Sequence, residues 1–243
     1  MASLIRRVTF QVGQNPADER TLTLSSTSAE GYFISLRPFI QPKESELDFP
    51  FEWAFAGPAS SAKITEKDEL VKAIDFNFEF DTNVQLHKEN THRGEIKTVW
   101  KQWESGLVEE RGQVFPFGAG KQAIDFFELW QPLDSTRAEF VILNEAHAGQ
   151  KEPTSVVFSV DKGDFKGLVV TVGKWAQGIL FKKEEHSLKG VNFIRAVEQK
   201  DGQWKTLLKF GSDADKFPLG FTATKGSTID SGALAWEVVE SNA

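Results

Sequence analysis

The sequence predicts an all-β fold made of two antiparallel β-barrels in tandem, and three observations carry that expectation. A short phrase occurs twice, as Gly94-Glu-Ile-Lys-Thr98-Val99-Trp100-Lys101-Gln-Trp103-Glu-Ser-Gly106 and as Gly167-Leu-Val-Val-Thr171-Val172-Gly173-Lys174-Trp175-Ala-Gln-Gly178. Both copies set Thr-Val four residues after a glycine, then Lys, Trp and a closing Gly, and such self-similarity points to duplicated β units. Apolar residues alternate with polar ones in many short runs bounded by turn residues, the pattern of half-buried strands. Helical periodicity is thin, which favours barrels or sandwiches.

Taken in order, strands are expected at Arg7 to Val12, Thr21 to Ser25 and Tyr32 to Leu36. Phe51-Glu-Trp53-Ala-Phe55 alternates cleanly. Ile74-Asp-Phe76-Asn-Phe78-Glu-Phe80 does so over a longer run, which at a period of two buries four large side chains and leaves Asp75 and Glu79 outside. Thr65 to Lys72 and Ser212 to Lys216 are each open between a short helix and a loop. Ser155 to Val160 and Leu234 to Val239 read as strands, and the Asp201-Gly202 turn joins Val191–Val197 to Trp204–Phe210 as a hairpin.

Each half closes on a Trp-bearing strand, at Phe126 to Trp130 and at Leu234 to Val239, and Pro132 interrupts any ladder that continues past the first. Glu139 to Leu143 then reads as the opening strand of the second unit. The expected domains are therefore 1–133 and 134–243, each the size of a small barrel.

The repeated phrase also assigns faces. In the first copy the inward face is that of Ile96, Thr98 and Trp100, and the extra residue before Trp103 acts as a β-bulge that returns Trp103 inward. Carried to the second copy, Val169, Thr171, Gly173 and Trp175 point inward, with spare volume at Gly173 where the first copy has Trp100. Thr171, Gly173 and Trp175 then form the candidate ligand pocket. Leu168, Val170 and Val172 point outward as an apolar row, the candidate interface, either against the other domain or against a separate partner.

Composition narrows the function classes. The chain has 243 residues, 40% apolar and 26% charged, which is ordinary globular usage. Phe 21 and Trp 7 against Tyr 1 leave the aromatics almost without polar tips, as suits a core. A net charge of −7 argues against a nucleic-acid binder, which needs a basic face. Cys 0 excludes disulfides, zinc thiolate sites and thiol nucleophiles. The start, Met-Ala-Ser-Leu-Ile-Arg-Arg, lacks the apolar core of a secretory signal, no run is long enough to embed in a membrane, and a cytosolic or cytosolic and nuclear location is expected.

Chemical motifs are weak. His87-Lys-Glu89-Asn-Thr-His92 has a histidine spacing of five rather than the four of a helical zinc motif, so no metal site is expected, and His147 and His186 read as solvated. Phe117-Gly-Ala-Gly120-Lys121-Gln resembles a phosphate loop, but lacks its first glycine and the Ser or Thr that holds magnesium, so it reads as a turn. No Gly-x-Ser-x-Gly elbow surrounds a serine. No catalytic residue, metal or cofactor is expected.

Longer phrases carry a resemblance. Ser35-Leu-Arg-Pro-Phe39, Phe49-Pro-Phe-Glu-Trp-Ala-Phe-Ala-Gly57, Asn90-Thr-His-Arg-Gly-Glu95, Glu128-Leu-Trp-Gln-Pro132 and Gly190-Val-Asn-Phe-Ile-Arg195 resemble the fungal HRI family over essentially the whole chain. That resemblance implies two calycin-like (lipocalin-like) β-barrels, a location in cytoplasm and nucleus, and no established activity. It also implies contact with a casein kinase I and with a Sec component of the translocation machinery. The Gly-x-Trp of the lipocalin first strand is missing near the N-terminus, which counts against a lipocalin-type ligand role.

Three readings are therefore weighed. The first is a non-enzymatic protein-interaction module using the outer barrel surface. The second is a binder of a small apolar ligand inside the C-terminal barrel, and the third an enzyme with a polar cleft.

Overall fold

The computed structural model describes residues 1–118, 120–143, 152–220 and 223–242. Among them the chain is all-β and forms two curled antiparallel sheets, each a half-barrel. The first sheet holds β1 (Ser3–Val12), β2 (Leu24–Thr27), β3 (Phe33–Pro38), β4 (Phe51–Gly57), β5 (Ala62–Glu66), β6 (Val71–Phe76), β7 (Phe80–Asp81), β8 (Ile96–Gln102), β9 (Val108–Val114) and β10 (Ile124–Leu133). Their order across the sheet is β5-β6-β8-β9-β10-β1-β2-β3-β4-β7, so β5 and β7 are the edges.

The second sheet holds β11 (Ser155–Lys162), β12 (Phe165–Val172), β13 (Trp175–Lys182), β14 (Val191–Glu198), β15 (Trp204–Phe210), β16 (Thr228–Ser231) and β17 (Leu234–Ser241). Their order is β15-β14-β13-β12-β11-β17-β16. By compactness the chain divides into Met1–Leu4, Ser25–Ser35 and Leu133–Ala243 on one side, and Ile5–Leu24 with Leu36–Pro132 on the other. The first of these units thus takes two short N-terminal segments into the C-terminal half.

Alternation located most strands, and the exceptions have local causes. The run from Ile74 to Phe80 is not one strand: β6 stops at Phe76 and β7 begins at Phe80. Ile74 and Phe80 are buried, whereas Phe76 and Phe78 are half-buried and Asp75 is half-buried rather than exposed. Ring stacking explains the break, because Phe78 turns onto Phe55 at 4.2 Å and meets Trp53 edge-on at 5.3 Å. Asp81 ends β7 and caps the single helical turn α1 (Thr82–Gln85), its carboxylate accepting from the Asn83 N–H at 2.8 Å.

Thr65 to Lys72 forms neither helix nor loop alone but the β5–β6 hairpin, closed by the Lys67 N–H donating to the Val71 carbonyl at 2.9 Å. Glu139 to Leu143 is not a strand. It makes one isolated bridge, Leu133 to Ile142, and Phe140 instead stacks on Trp175 at 5.1 Å. The β9–β10 ladder ends at Trp130, while β10 itself runs through Pro132 to Leu133. The hairpin of β14 and β15 forms around Asp201-Gly202, with the Gln199 N–H donating to the Gln203 carbonyl at 2.8 Å.

Candidate functional site

The two copies of the repeated phrase fold differently. In the first, β8 carries Thr98 inward and buried, and the Thr98 hydroxyl donates to the Ile74 carbonyl at 3.0 Å. Trp100 lies on the same face, stacked on Trp130 at 6.0 Å. Trp103 does not return inward. It opens the turn to β9, is 37% exposed, and its indole N–H donates to Glu109 at 3.1 Å. The residue that separates Lys101 from Trp103 extends the strand to its end and makes no bulge.

In the second copy the chain reverses in the middle of the phrase. Val172 pairs with Trp175, so Gly173-Lys174 is a two-residue hairpin loop with Gly173 at φ +56°, a position that favours glycine. This overturns the expected faces. Gly173 lines no interior volume, since a Cβ there would meet the Ser135 carbonyl oxygen at 2.3 Å. Trp175 sits beside Val172, on the face opposite Val169, and its indole N–H donates to the Arg137 carbonyl at 2.8 Å. Thr171 keeps the Val169 face and is half-buried. The expected pocket residues are therefore not brought together.

Leu168, Val170 and Val172 are all buried. Their face is partly polar: Val157, Val170, Gln177 and Arg195 form one cross-strand row. Glu240 joins it because a register shift at Val157/Phe158 pairs Glu240 with Val157. Segment 25–35 covers this row. Ser26 accepts from Gln177 at 3.0 Å, Ser28 donates to Glu240 at 2.5 Å, and the Ala29 N–H donates to Ser155 at 3.1 Å. Burial pushes the Arg195 guanidinium down to about 9, still charged at neutral pH, and its Nε–H donates to Gln177 at 3.0 Å.

Among the described residues the interior of the seven-stranded sheet holds an apolar cluster. Val156, Phe158, Val160, Val169, Leu180, Ile194, Phe217, Trp236 and Val238 make one cluster. Gly167 and Gly178 lie inside it because nothing larger fits. A Cβ on Gly167 would meet Leu180 and Trp236 at 2.8 Å, and one on Gly178 would meet the Phe217 ring at 2.7 Å. At the hairpin ends there is an open groove of about 460 Å³, lined by residues 162–165 on one side and Asp230 and residues 233–235 on the other.

The ten-stranded sheet has the contrasting interior, one that the sequence reading missed. Arg7 is fully buried and every face of its guanidinium is used: Nε donates to Glu19 at 2.6 Å, Nη1 to Glu128 at 2.6 Å, and Nη2 to Glu52 at 2.9 Å and Thr21 at 3.1 Å. Arg37 adds a second cation, donating from Nη1 to Glu128 at 2.8 Å and lying over the Phe55 ring at 5.0 Å. Glu110 faces Glu128 directly across β9 and β10, and Trp130 donates its indole N–H to Glu110 at 2.9 Å.

Burial alone would lower the Arg7 pKa, but the carboxylates of Glu52, Glu128 and Glu19 hold it above its ordinary value. Burial and the charge of Glu128 push the Glu110 carboxyl well up. Glu128 is held below its ordinary value because Arg37 and Arg7 outweigh its own burial. The network is charge-paired, which fixes a core, although the buried Arg37 Nε has no hydrogen-bond partner among the described residues. The signal that could have found it is polar residues at inward strand positions, Arg7 and Glu128 among them.

His92, one half of the weighed histidine pair, is also structural. Its Nδ1 accepts the Phe115 N–H at 3.2 Å and its ring stacks on Phe115 at 5.7 Å. Burial pushes its pKa down, with Asp81 opposing. His87 and His186 are exposed, and His147 lies outside the described residues.

The β5 edge is among the apolar features of the surface. Ile64 there is 55% exposed, and Leu70 on the adjoining turn is exposed as well.

A family model described as Protein HRI1 matches residues 3–240. The chain is 60% identical over 243 residues to Protein HRI1 of Lachancea thermotolerans, covering 100% of this chain and 93% of that one. It is 49% identical over 242 residues to Protein HRI1 of Kluyveromyces lactis, covering 100% of both. A crystal structure titled as uncharacterized protein YLR301w from Saccharomyces cerevisiae superposes with a TM-score of 0.94 at 45% identity, covering 100% of both chains.

Proposed function

The chain belongs to the HRI1 family, and from that premise we propose that it is a non-catalytic protein-binding module that works through its surface. The observation that supports this reading is the state of the interiors. One is an apolar cluster in which Gly167 and Gly178 have no room for a methyl group, and the other is a buried ion network around Arg7 and Glu128. Small-ligand proteins of barrel type keep an interior cavity. With both interiors occupied by side chains, recognition falls to edges, turns and outer faces.

The partners the family resemblance implies, a casein kinase I and a Sec component of the translocation machinery, are the first to test, and a cytoplasmic and nuclear location belongs to the same proposal. Purified full-length protein immobilised on a biosensor should bind purified casein kinase I saturably, with a dissociation constant in roughly the micromolar range of transient complexes. Flat responses for both proteins would overturn the partner assignment.

A second reading rests on the groove at the hairpin ends. A small apolar ligand would lie there against Phe165 and Leu234, which pack on the apolar cluster, and not at Thr171, Gly173 and Trp175. Native mass spectrometry of protein purified from yeast cytosol would detect the added mass. A bare protein mass would sink this alternative.

A further inference from the structure

We infer that the free edge of β5 receives an extended acidic peptide from a partner, which adds to the ten-stranded sheet as one more strand. The inference rests on the protein-binding reading above and names the site and chemistry of one such contact.

The backbone argument comes first. β5 stands at the end of the sheet order, so one of its sides has no strand neighbour among the described residues. Its register with β6 pairs Lys63 with Asp75, Ile64 with Ile74 and Thr65 with Ala73. At the two ends of that ladder the Asn77 N–H donates to the Ser61 carbonyl at 2.8 Å and the Lys67 N–H to the Val71 carbonyl at 2.9 Å. In an antiparallel ladder bonded and non-bonded pairs alternate. Residues 61, 63, 65 and 67 therefore turn their amide groups toward β6, Ile64 and Glu66 present theirs outward, and Ala62 offers only its carbonyl, its N–H donating to the Ala59 carbonyl. Two outward N–H and C=O sets, with the Ala62 carbonyl beside them, form a short template for an incoming strand.

The side chains specify what that strand carries. Lys63 and Thr65 lie on the outer face, and Lys67 follows at the same alternation. Lys63 and Lys67 are exposed and make no ion pair among the described residues, and Lys101, paired with Val71 on that face, makes none either. A chain of net charge −7 thus sets Lys63 and Lys67 on the outer face of this edge, with Asp75 across from Lys63, Glu66 on the opposite face and Asp68 and Glu69 on the turn beyond. On the other face Ile64 continues the row of buried Ile74 and Thr98, and it is 55% exposed only because the sheet ends there. An added strand with Asp or Glu at alternate positions would neutralise the lysines, and its intervening apolar residues would cover Ile64.

The other edges fit less well. β7 has two residues and runs straight into α1, and β16 has four. β15 meets β14 through a register shift, and its Lys209 is already paired with Asp215.

The test uses the full chain and a fluorescein-labelled acetyl-Glu-Val-Glu-Val-Glu amide, followed by fluorescence anisotropy, with the same peptide bearing Lys for Glu as the control. Saturable binding of the acidic peptide and none of the lysine peptide is expected. Ile64→Pro removes one outward donor while leaving the β6 ladder intact, and should weaken binding by about tenfold or more. Lys63→Glu with Lys67→Glu alters only exposed side chains. It should weaken binding about tenfold and flatten its salt dependence, and it decides the matter should Ile64→Pro fail to fold.

Equal affinity for both peptides, or unchanged affinity in the folded variants, overturns the inference. So does sedimentation showing that two copies of the chain pair through this edge. Kinase capture that survives these variants would leave the protein-binding reading standing while removing β5 from it. Peptide binding that the variants abolish, with no capture of the kinase, would do the reverse to the kinase assignment.

Discussion

The two half-barrels solve the same packing problem with opposite chemistry. Inside the ten-stranded sheet, Arg7 and Arg37 are neutralised by Glu19, Glu52 and Glu128, with Glu110 and the ring of Trp130 closing the set. Inside the seven-stranded sheet, Phe158, Val169, Ile194 and Trp236 meet over glycines that leave no gap. A charged interior depends on every partner being present, because a buried charge that loses its counter-ion keeps its desolvation cost. An apolar interior depends on volume, and it tolerates neither a void nor an extra methyl group. The difference teaches where each half is fragile.

The largest expected effect tests the charged side. Glu128→Ala strips a shared partner from both Arg7 and Arg37 and should cost about 3–5 kcal/mol in denaturant unfolding. A loss below about 1 kcal/mol, the scale of an exposed pair, would break the contrast by showing that water reaches the network.

Next comes the apolar side. Gly178→Ala places a methyl group into the Phe217 ring and should cost about 1–3 kcal/mol by the same measurement. An unchanged midpoint would mean that this interior yields, and would reopen the case for a ligand within it.

A smaller effect comes from pH. Glu110 has its carboxyl pKa raised in the fold, so the stability it contributes is complete below the ordinary value of 4.5 and is lost as pH rises through the raised value. Glu128 has the opposite sign, its contribution being present above the ordinary value and lost as pH falls through the lowered one. Melting temperature should therefore peak between the two and decline on both sides. Glu110→Gln should shrink the alkaline decline, the buried Asp81 with its own raised carboxyl keeping part of it, and leave the acid one. A variant with the parent's alkaline slope would assign that decline to another group.

The smallest effect separates core from surface. Trp103→Ser should change stability by no more than about 0.5 kcal/mol, as for other exposed side chains. A larger loss would restore Trp103 to the interior.

Strand existence was legible wherever alternation was strong, as in β4 and in the β14–β15 hairpin with its Asp201-Gly202 turn. The HRI resemblance was legible because it rests on long aromatic-rich phrases such as Phe49 to Gly57. Face assignments failed where the chain turned unnoticed. Gly173-Lys174 is a good two-residue hairpin loop in its own right, but its match to the earlier phrase at Thr-Val hid that, and every residue beyond it changed face. The candidate pocket of Thr171, Gly173 and Trp175 dissolved with that single reversal.

By itself, then, the sequence determined the β class, the absence of thiol chemistry and most strand positions, because period and composition are local properties of a chain. Only the tertiary structure decided which polar residues are buried and which lysines stand free. Arg7, Glu52 and Glu128 are far apart in sequence and share a site through strand order alone. The free edge of β5 likewise exists because β5 comes last in the sheet, and no pattern within Ala62–Glu66 says so.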